Sequence, residues 1–571
     1  MFATLPKDAL EFAGWPWAKI KPYFDELAAR PIDSSSVNAW LKDWDLLAEL
    51  LSETHQRLWV ATTVDTTDRA AADRYQHHLD EIYPPSQAAA QKLKEKLIAS
   101  GLEPDGFSVP LRNLRQQAEL FRDANLPLLS QELKLDSDYD KIIGAQTVEW
   151  EGREVTLQQI QIEFLNPDRH RRQQAWQLYA RRWLADRGPI NELWSRLLAL
   201  RRQLAANAGL PDYRAYRWKQ QLRFDYTPED CLQFHAAIEE VVVPAAQRIY
   251  DRRRQRLGVE TLRPWDLDVD PYGLSVLKPF TSIEQLESGV GSMFSRVDPQ
   301  LAAHYEIMRR EQLLDLDNRK GKAPGGYCTE YAVAHRPFIF MNAVGIHDDV
   351  QTLVHEGGHA FHVFESAALP YFQQREVGLE FCEVASMGME FLASPYLAAK
   401  DGGFYSEQDA ARARIEHLEA SLRFWPYMAV VDAFQHWVYT HPAAAADPSN
   451  CDAQWTELWG RFMPGVDWSG LDEEMKTGWH RKLHIHQVPF YYVEYGLAQL
   501  GAMQIWRNAL SDQAGAVASY RQALALGGSV PLPQLFAAAG ARFAFDAGTL
   551  RAAVDLAEET IDKLETQVLA G

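Results

Sequence analysis

Cysteine is scarce in this chain: four residues in 571, at positions 231, 328, 382 and 451, never in a Cys-x-x-Cys pair. The scatter reads as reduced thiols in a cytosolic protein, rather than as a disulfide frame or a cysteine-based metal site. Long apolar runs are missing as well; none approaches the roughly 20 residues that a helical membrane span requires. The opening residues, Met1 to Asp8, lack a basic segment followed by an apolar core, so no signal peptide is expected. Positive charge is in deficit, with 58 Lys and Arg against 78 Asp and Glu, a formal net charge of -20. That deficit disfavours a nucleic-acid backbone or an anionic membrane as partner and leaves a soluble, cytoplasmic enzyme as the expectation.

What remains is an ordinary globular composition, 47% hydrophobic and 24% charged. The length allows three or four domains, although helical enzymes often exceed that prior as one body. Residues 1 to about 135 read as antiparallel helices punctuated at Pro84-Pro85, Gly101 to Pro104 and Pro110. Ile142 to Trp150 and Arg153 to Leu157, flanking Glu151-Gly152, predict a short hairpin that braces helices. From Asp168 to Gln221 the chain is helical and dense in arginine (Arg169, Arg171, Arg172, Arg181, Arg182). With Glu, Trp and Tyr interleaved and no RNA-binding signature, this is a salt-bridged, solvated face. Gly321 to Cys328 is a loop by composition, and Pro337 to Asn342 reads as a buried or edge strand. A strand there suits an enzyme that aligns an extended peptide by backbone pairing.

Chemistry concentrates in Val354-His355-Glu356-Gly357-Gly358-His359-Ala360-Phe361-His362. On a helix, His355 and His359 stand one turn apart on one face, the spacing at which two imidazoles share a zinc ion. Glu356 beside them is placed to accept a proton from the water that the metal activates. Leu353, Val354, Ala360 and Phe361 predict burial, with Asp348 or Asp349 as the N-cap. Gly357-Gly358 is a weak helical pair by propensity; close packing of a neighbouring strand would rescue it.

A catalytic zinc takes a third protein ligand and leaves its fourth position open. Position 362 is His and 365 is Glu, so the three-histidine protease pattern is excluded. A helix expected after Pro370 carries Glu376, Glu380, Glu383 and Glu390, spaced to share one face. Spacing alone does not choose among them.

The motif together with Phe381-Cys382-Glu383-Val384-Ala385-Ser386-Met387 resembles the thimet oligopeptidase family (M3) of zinc metallopeptidases, in particular its oligoendopeptidase F branch. The resemblance implies Glu383 as the third ligand and Glu390 as an acid that orients a zinc-bound imidazole. It continues in His484-Ile485-His486 through Tyr491-Tyr492-Val493-Glu494-Tyr495, similar to the family's segment of oxyanion-stabilising donors. Tyr495 and His486 are favoured there, with His484, Tyr491 and Tyr492 as alternates. Similarity extends to Gly321–Asn342, Asn191–Trp218, Arg423–Tyr439 and Leu524–Phe543. About the C-terminal two thirds is thus covered.

The implied fold is mostly α: two helical lobes with a deep central cleft and one or two small β-sheets or hairpins. Residues 1–190 would form an N-terminal lobe with a hairpin near 142–157, and 191–571 the catalytic lobe. The implied activity is zinc-dependent endopeptidase cleavage of short unstructured oligopeptides, with one Zn²⁺ per chain, Glu356 as general base, and no nucleic-acid or membrane partner. The alternatives are a zinc exopeptidase of carboxypeptidase or dipeptidase type and a non-catalytic peptide-binding protein. Retention of Glu356, a base rather than a ligand, argues against the last.

Overall fold

Helix-forming Ala, Leu, Gln, Glu and Arg dominate the chain, and helices dominate the computed structural model, which describes residues 1–319, 321–323 and 325–570. The side chains of Ser137, Asp140 and Ala570 are not described, and Pro324 of the expected loop lies outside the described residues. No described helix is long and apolar enough to cross a membrane. The chain forms two compact units. The first comprises Met1–Phe121, Lys278–Ala410 and Gly501–Phe543; the second comprises Arg122–Leu277, Ala411–Leu500 and Ala544–Gly571. Compactness therefore follows no single cut, such as the one expected after residue 190.

In the first unit, Val37–Val64, Tyr83–Ser100 and Ser108–Leu120 are helices whose apolar faces meet around Trp40, Leu47, Leu93, Leu97 and Phe107. Pro84-Pro85 does not break the helical run from Arg69 to Ser100: a π-helical stretch, His78–Ile82, precedes it, and the prolines enter at the start of the α-helix that follows. Gly101 ends that helix in the left-handed region, at φ 67°.

A three-stranded sheet follows: β3 (Leu314–Asp317), β4 (Tyr327–Tyr331) and β5 (Arg336–Ala343). The order is β3-β5-β4, with β3 parallel and β4 antiparallel to β5. The strand expected at Pro337–Asn342 is thus central rather than an edge, with both backbone sides paired at Ile339 and Phe340. Where both sides are paired, at Ile339 and Phe340, β5 has no backbone side left for a peptide. Phe338 and Phe340 point to one face of β5, where they meet Val60 and Tyr331. By alternation Ile339 and Met341 face the other way, toward the following helix.

That helix, His347–Ser366, contains the His-Glu-Gly-Gly-His sequence and is called here the motif helix. It begins before the expected caps. Asp349 serves from the third helical position, its Oδ2 accepting backbone N–H bonds from Val344, Gly345 and Ile346 at 2.9, 2.7 and 2.9 Å. Val350, Leu353, Val354, Ala360 and Phe361 are wholly buried. After a short turn of helix at Phe372–Arg375, Glu376 is extended and a second helix runs from Leu379 to Ala393, the acid helix. The break removes Glu376 from the face expected to carry four acids.

The two glycines of the motif are explained by contacts different from those expected. A Cβ on Gly358 would stand 2.4 Å from the Ala385 carbonyl oxygen and 2.6 Å from Ser386 Cα, and one on Gly357 would stand 2.6 Å from Phe294 Cζ. The close neighbour of Gly358 is the acid helix, not a strand. Tyr520 locks the same spot, its hydroxyl donating to the Ala385 carbonyl at 2.6 Å.

In the second unit β1 (Thr147–Trp150) and β2 (Arg153–Thr156) pair antiparallel across Glu151 and Gly152, both at positive φ. The hairpin is shorter than its β-branched flanks suggested. Ile142 and Ile143 complete the helix Leu126–Gly144, and Thr156 with Gln159 forms a capping box for the next helix. The arginine-rich stretch is ion-paired inside the unit: Arg169 and Arg172 both hold buried Asp266, and Arg171 holds Glu163. Arg172 is itself buried, so this face is partly internal rather than fully solvated.

The glycine contacts yield a paired expectation. Gly358→Ala has only backbone to push against and should lose about 2 kcal/mol or more, despite a propensity gain near 1 kcal/mol. Gly460→Ala, in helix Pro448–Phe462 with nothing within 4 Å of its would-be Cβ, should gain up to about 1 kcal/mol. Thermal unfolding should show the apparent Tm falling in the first variant and holding or rising in the second; equal shifts would refute the close-crossing account.

Candidate active site

The crossing at Gly358 sets the geometry of the residues around it, because the two helices it joins carry all the donors. From the motif helix, His355 and His359 project one turn apart, their rings 5.1 Å apart at 82°. From the acid helix, Glu383 Oε2 reaches to 3.4 Å from His355 Nε2 and 3.7 Å from His359 Nε2. One donor atom from each of the three residues lies within 4.8 Å of the others. Donors arranged tetrahedrally about zinc at ~2.1 Å sit ~3.4 Å apart, so this spacing fits the ion with little adjustment. Glu383 is nearly buried, whereas the side chains of His355 and His359 retain 24% and 20% exposure, which leaves an approach for water and substrate.

Neighbouring groups orient these donors. His355 Nδ1 lies 2.6 Å from Glu390 Oε1, which fixes the ring with Nε2 turned toward Glu383. The Ser386 hydroxyl donates to Glu383 Oε2 at 2.9 Å. Sequence reasoning identified Glu390 but gave Ser386 no role; its position three residues after Glu383, on the same helical face, was the available signal.

The electrostatics are those of charge crowded into a dry place. Burial disfavours the His355 imidazolium, but Glu383 and Glu390 outweigh it and hold its pKa well above the ordinary value. Burial, with His355 adding to it, depresses His359 to about 4. Glu356 is buried, and burial first, then Glu383 and Glu390, pushes its carboxyl up to about 7 against the opposing pull of His355. Its Oε2 makes no hydrogen bond in the protein. A buried carboxylate oxygen without a partner is costly unless something else, such as a water, supplies the bond. Burial and then the Glu356 carboxylate also raise the Cys328 thiol, which places β4 on the Glu356 side of the motif helix. The two-histidine, one-glutamate donor set and the orphaned Glu356 oxygen fit a zinc ion with an open coordination position.

Other acids and histidines considered from sequence fall outside this arrangement. Glu376 is exposed before the acid helix begins, and Glu380 is buried on that helix but is not among the three grouped donors. His362 packs toward Phe381, its rings 6.0 Å apart, and burial drives its pKa down to about 3.

The histidine and tyrosine segment belongs to the second unit. His484, Tyr491, Tyr492 and Tyr495 form one cluster, with His484 ring distances of 5.7, 5.0 and 5.8 Å to the three tyrosines. His486 is elsewhere: wholly buried, stacked on Tyr139 at 4.6 Å and flanked by Trp194 and Trp479. Burial lowers its pKa to about 3. A side chain with no exposed surface cannot meet a substrate, so His484, and not the favoured His486, accompanies Tyr495. Tyr492 is buried too, while His484, Tyr491 and Tyr495 keep part of their surface open.

Comparison with known proteins follows the same line. A search of curated proteins returned no match. PZ peptidase A, solved with inhibitor 2, superposes with a TM-score of 0.91 at 28% identity, covering 99% of this chain and 100% of that one. A solved structure assigned as oligoendopeptidase F gives 0.91 at 28% identity over 99% of each chain. A Bacillus anthracis str. Ames protein of the same assignment gives 0.86 at 25% identity over 96% of this chain and 97% of that one. Residues 164–555, more than half of the chain and all of the residues grouped above, match the model of peptidase family M3, and the chain is therefore a member of that family.

Proposed function

We propose that this peptidase is a zinc-dependent endopeptidase of short, unstructured oligopeptides. The observation that carries the reading is the placement of Glu383 Oε2 at 3.4 and 3.7 Å from the two histidine Nε2 atoms, with Glu356 buried beside them. His355, His359 and Glu383 would hold one zinc per chain. When bound, zinc acidifies water and polarises the scissile carbonyl. Glu390 and Ser386 keep His355 and Glu383 in the geometry that binds it. Glu356 accepts the proton of the attacking water and delivers it to the leaving amine. Tyr495 and His484 are assigned, on the family resemblance, as hydrogen-bond donors to the oxyanion. The preference for oligopeptides agrees with the oligoendopeptidase F assignments of two structural neighbours.

The ligand assignment predicts which acid matters. Glu383→Gln and His359→Ala should each contain about one metal ion fewer per chain than the unaltered protein, whereas Glu376→Gln and Glu380→Gln should match it, as read by elemental analysis of the purified chains. A metal content in His359→Ala unchanged from that of the unaltered chain, or loss confined to the 380 variant, defeats the assignment.

Binding and chemistry separate at Glu356. Glu356→Gln preserves size but cannot accept a proton at neutral pH, so it should retain zinc and peptide affinity while kcat falls at least about a hundredfold. Tyr495→Phe removes one donor and no proton carrier, so a milder loss in kcat is expected. Near wild-type turnover by metal-loaded Glu356→Gln would make the zinc structural.

Endopeptidase action is read directly from a peptide blocked at both ends, digested with and without a chelator and analysed by mass spectrometry. Internal cleavage abolished by the chelator is expected. Cleavage of only unblocked peptides, from one end, would establish an exopeptidase instead.

A further inference from the structure

We propose that the second unit contains a separate, buried transition-metal site built from Cys231 and His235 on helix Pro228–Leu257 and Asp432 and His436 on helix Glu407–Thr440. Each pair is spaced by four residues, so each helix presents two donors from one face. One donor atom each from Cys231, Asp432 and His436 lies within 4.8 Å of the other two. His235 Nε2 lies 2.8 Å from Asp432 Oδ2, which brings a fourth donor to the same carboxylate. His436 Nε2 stands 3.3 Å from Asp432 Oδ2, close to the ~3.4 Å separation of donors around a tetrahedral ion.

All four side chains are nearly or wholly removed from solvent: Cys231 and Asp432 at 0%, His235 at 3%, His436 at 4%. Phe462 packs on His235, and Trp218 and Phe490 pack on His436, so the surroundings are apolar. A purely hydrogen-bonded network accounts for the His235–Asp432 contact and leaves two buried atoms over. Asp432 Oδ1 has no hydrogen-bond partner, and His436 Nε2 has only the 3.3 Å approach to Asp432 Oδ2, outside good hydrogen-bond geometry; poorly satisfied polar atoms at such depth are expensive. A divalent cation satisfies both atoms. Its charge would balance one carboxylate and one thiolate, with two neutral imidazoles completing the shell, and that mixed sulfur, nitrogen and oxygen set suits zinc. The thiol proton is released on binding. Half-buried Arg214 has Nη1 3.4 Å from His436 Nδ1; because a guanidinium only donates, this long contact must yield for the ring to carry its proton on Nδ1 and ligate through Nε2. Scattered single cysteines argued against a cysteine-only metal site, but a site drawing one thiolate and three other donors from two helices leaves no Cys-x-x-Cys trace.

Cobalt(II) exchange tests this site independently of the candidate active site, whose two imidazoles and one carboxylate cannot give a sulfur-to-cobalt charge-transfer band. The chain carrying His359→Ala, loaded with Co²⁺, should retain about one cobalt and show that near-ultraviolet band together with tetrahedral visible absorption. Cys231→Ala in this background should abolish both signals. If that variant does not fold, Cys328→Ser with Cys382→Ser in the same background should leave them intact. Failure of His359→Ala chains to hold cobalt, cobalt held without the sulfur band, or a band lost with Cys328 and Cys382 would each overturn the proposal. None of these outcomes depends on whether the catalytic reading is right.

Discussion

The close crossing of the motif helix and the acid helix is the constraint on which the first unit depends. Gly358 leaves no side chain between the helices, and the backbone at Ala385 and Ser386 takes up the space. Only at that separation does Glu383, two residues before the contact, meet His355 and His359. The same approach places Glu390, seven residues further along the acid helix, against the outer nitrogen of His355. The glycine pair costs about 2 kcal/mol in helix propensity. Burial of Val350, Leu353, Val354 and Phe361, and the Tyr520 bond to the Ala385 carbonyl, offset it.

Electrostatics sets the second demand. Glu356, Glu383 and Glu390 share a small, largely buried volume with two imidazoles, and Glu356 is pushed toward neutrality as a result. A divalent ion beside these groups lowers the cost of keeping them charged. On the proposed reading, protein side chains supply orientation and a proton acceptor, while the donor set is left short of positive charge. In the second unit Asp432 is placed differently: wholly buried, next to two histidines and a cysteine, with no route for substrate. The first arrangement leaves histidine surface open for chemistry, and the second has the closed character of a structural site.

Much of the first unit's site was legible because local spacing encodes it. His355, Glu356 and His359 lie within a single turn and need no knowledge of the fold; helical phase put Glu376, Glu380, Glu383 and Glu390 on one face, and the choice of Glu383 and Glu390 among them came from the family resemblance. What spacing could not tell was where the second helix begins. The sequence suggested continuity from Pro370, but Glu376 to Gly378 are not helical, and this removes Glu376. Nor could it separate a strand from a helix as the neighbour of Gly358, since any close backbone demands a missing Cβ. The order β3-β5-β4 was equally hidden, because an apolar run such as Pro337 to Met341 fits either a central or an edge strand.

The histidine and tyrosine segment shows the limit most clearly. His484 and His486 are two residues apart, and no periodicity distinguishes a histidine that contacts substrate from one that fills a core. The answer is set by distant residues: Tyr139, Trp194 and Trp479 enclose His486, and the Arg201 guanidinium binds its carbonyl oxygen. With that backbone fixed, the turn between them leaves His484 among the tyrosines at 491, 492 and 495. Burial, a property of tertiary neighbours, thus decides between chemically identical side chains where sequence pattern is silent. The same holds for Cys231 and Asp432, which lie far apart in sequence and become one cluster only when their helices pack.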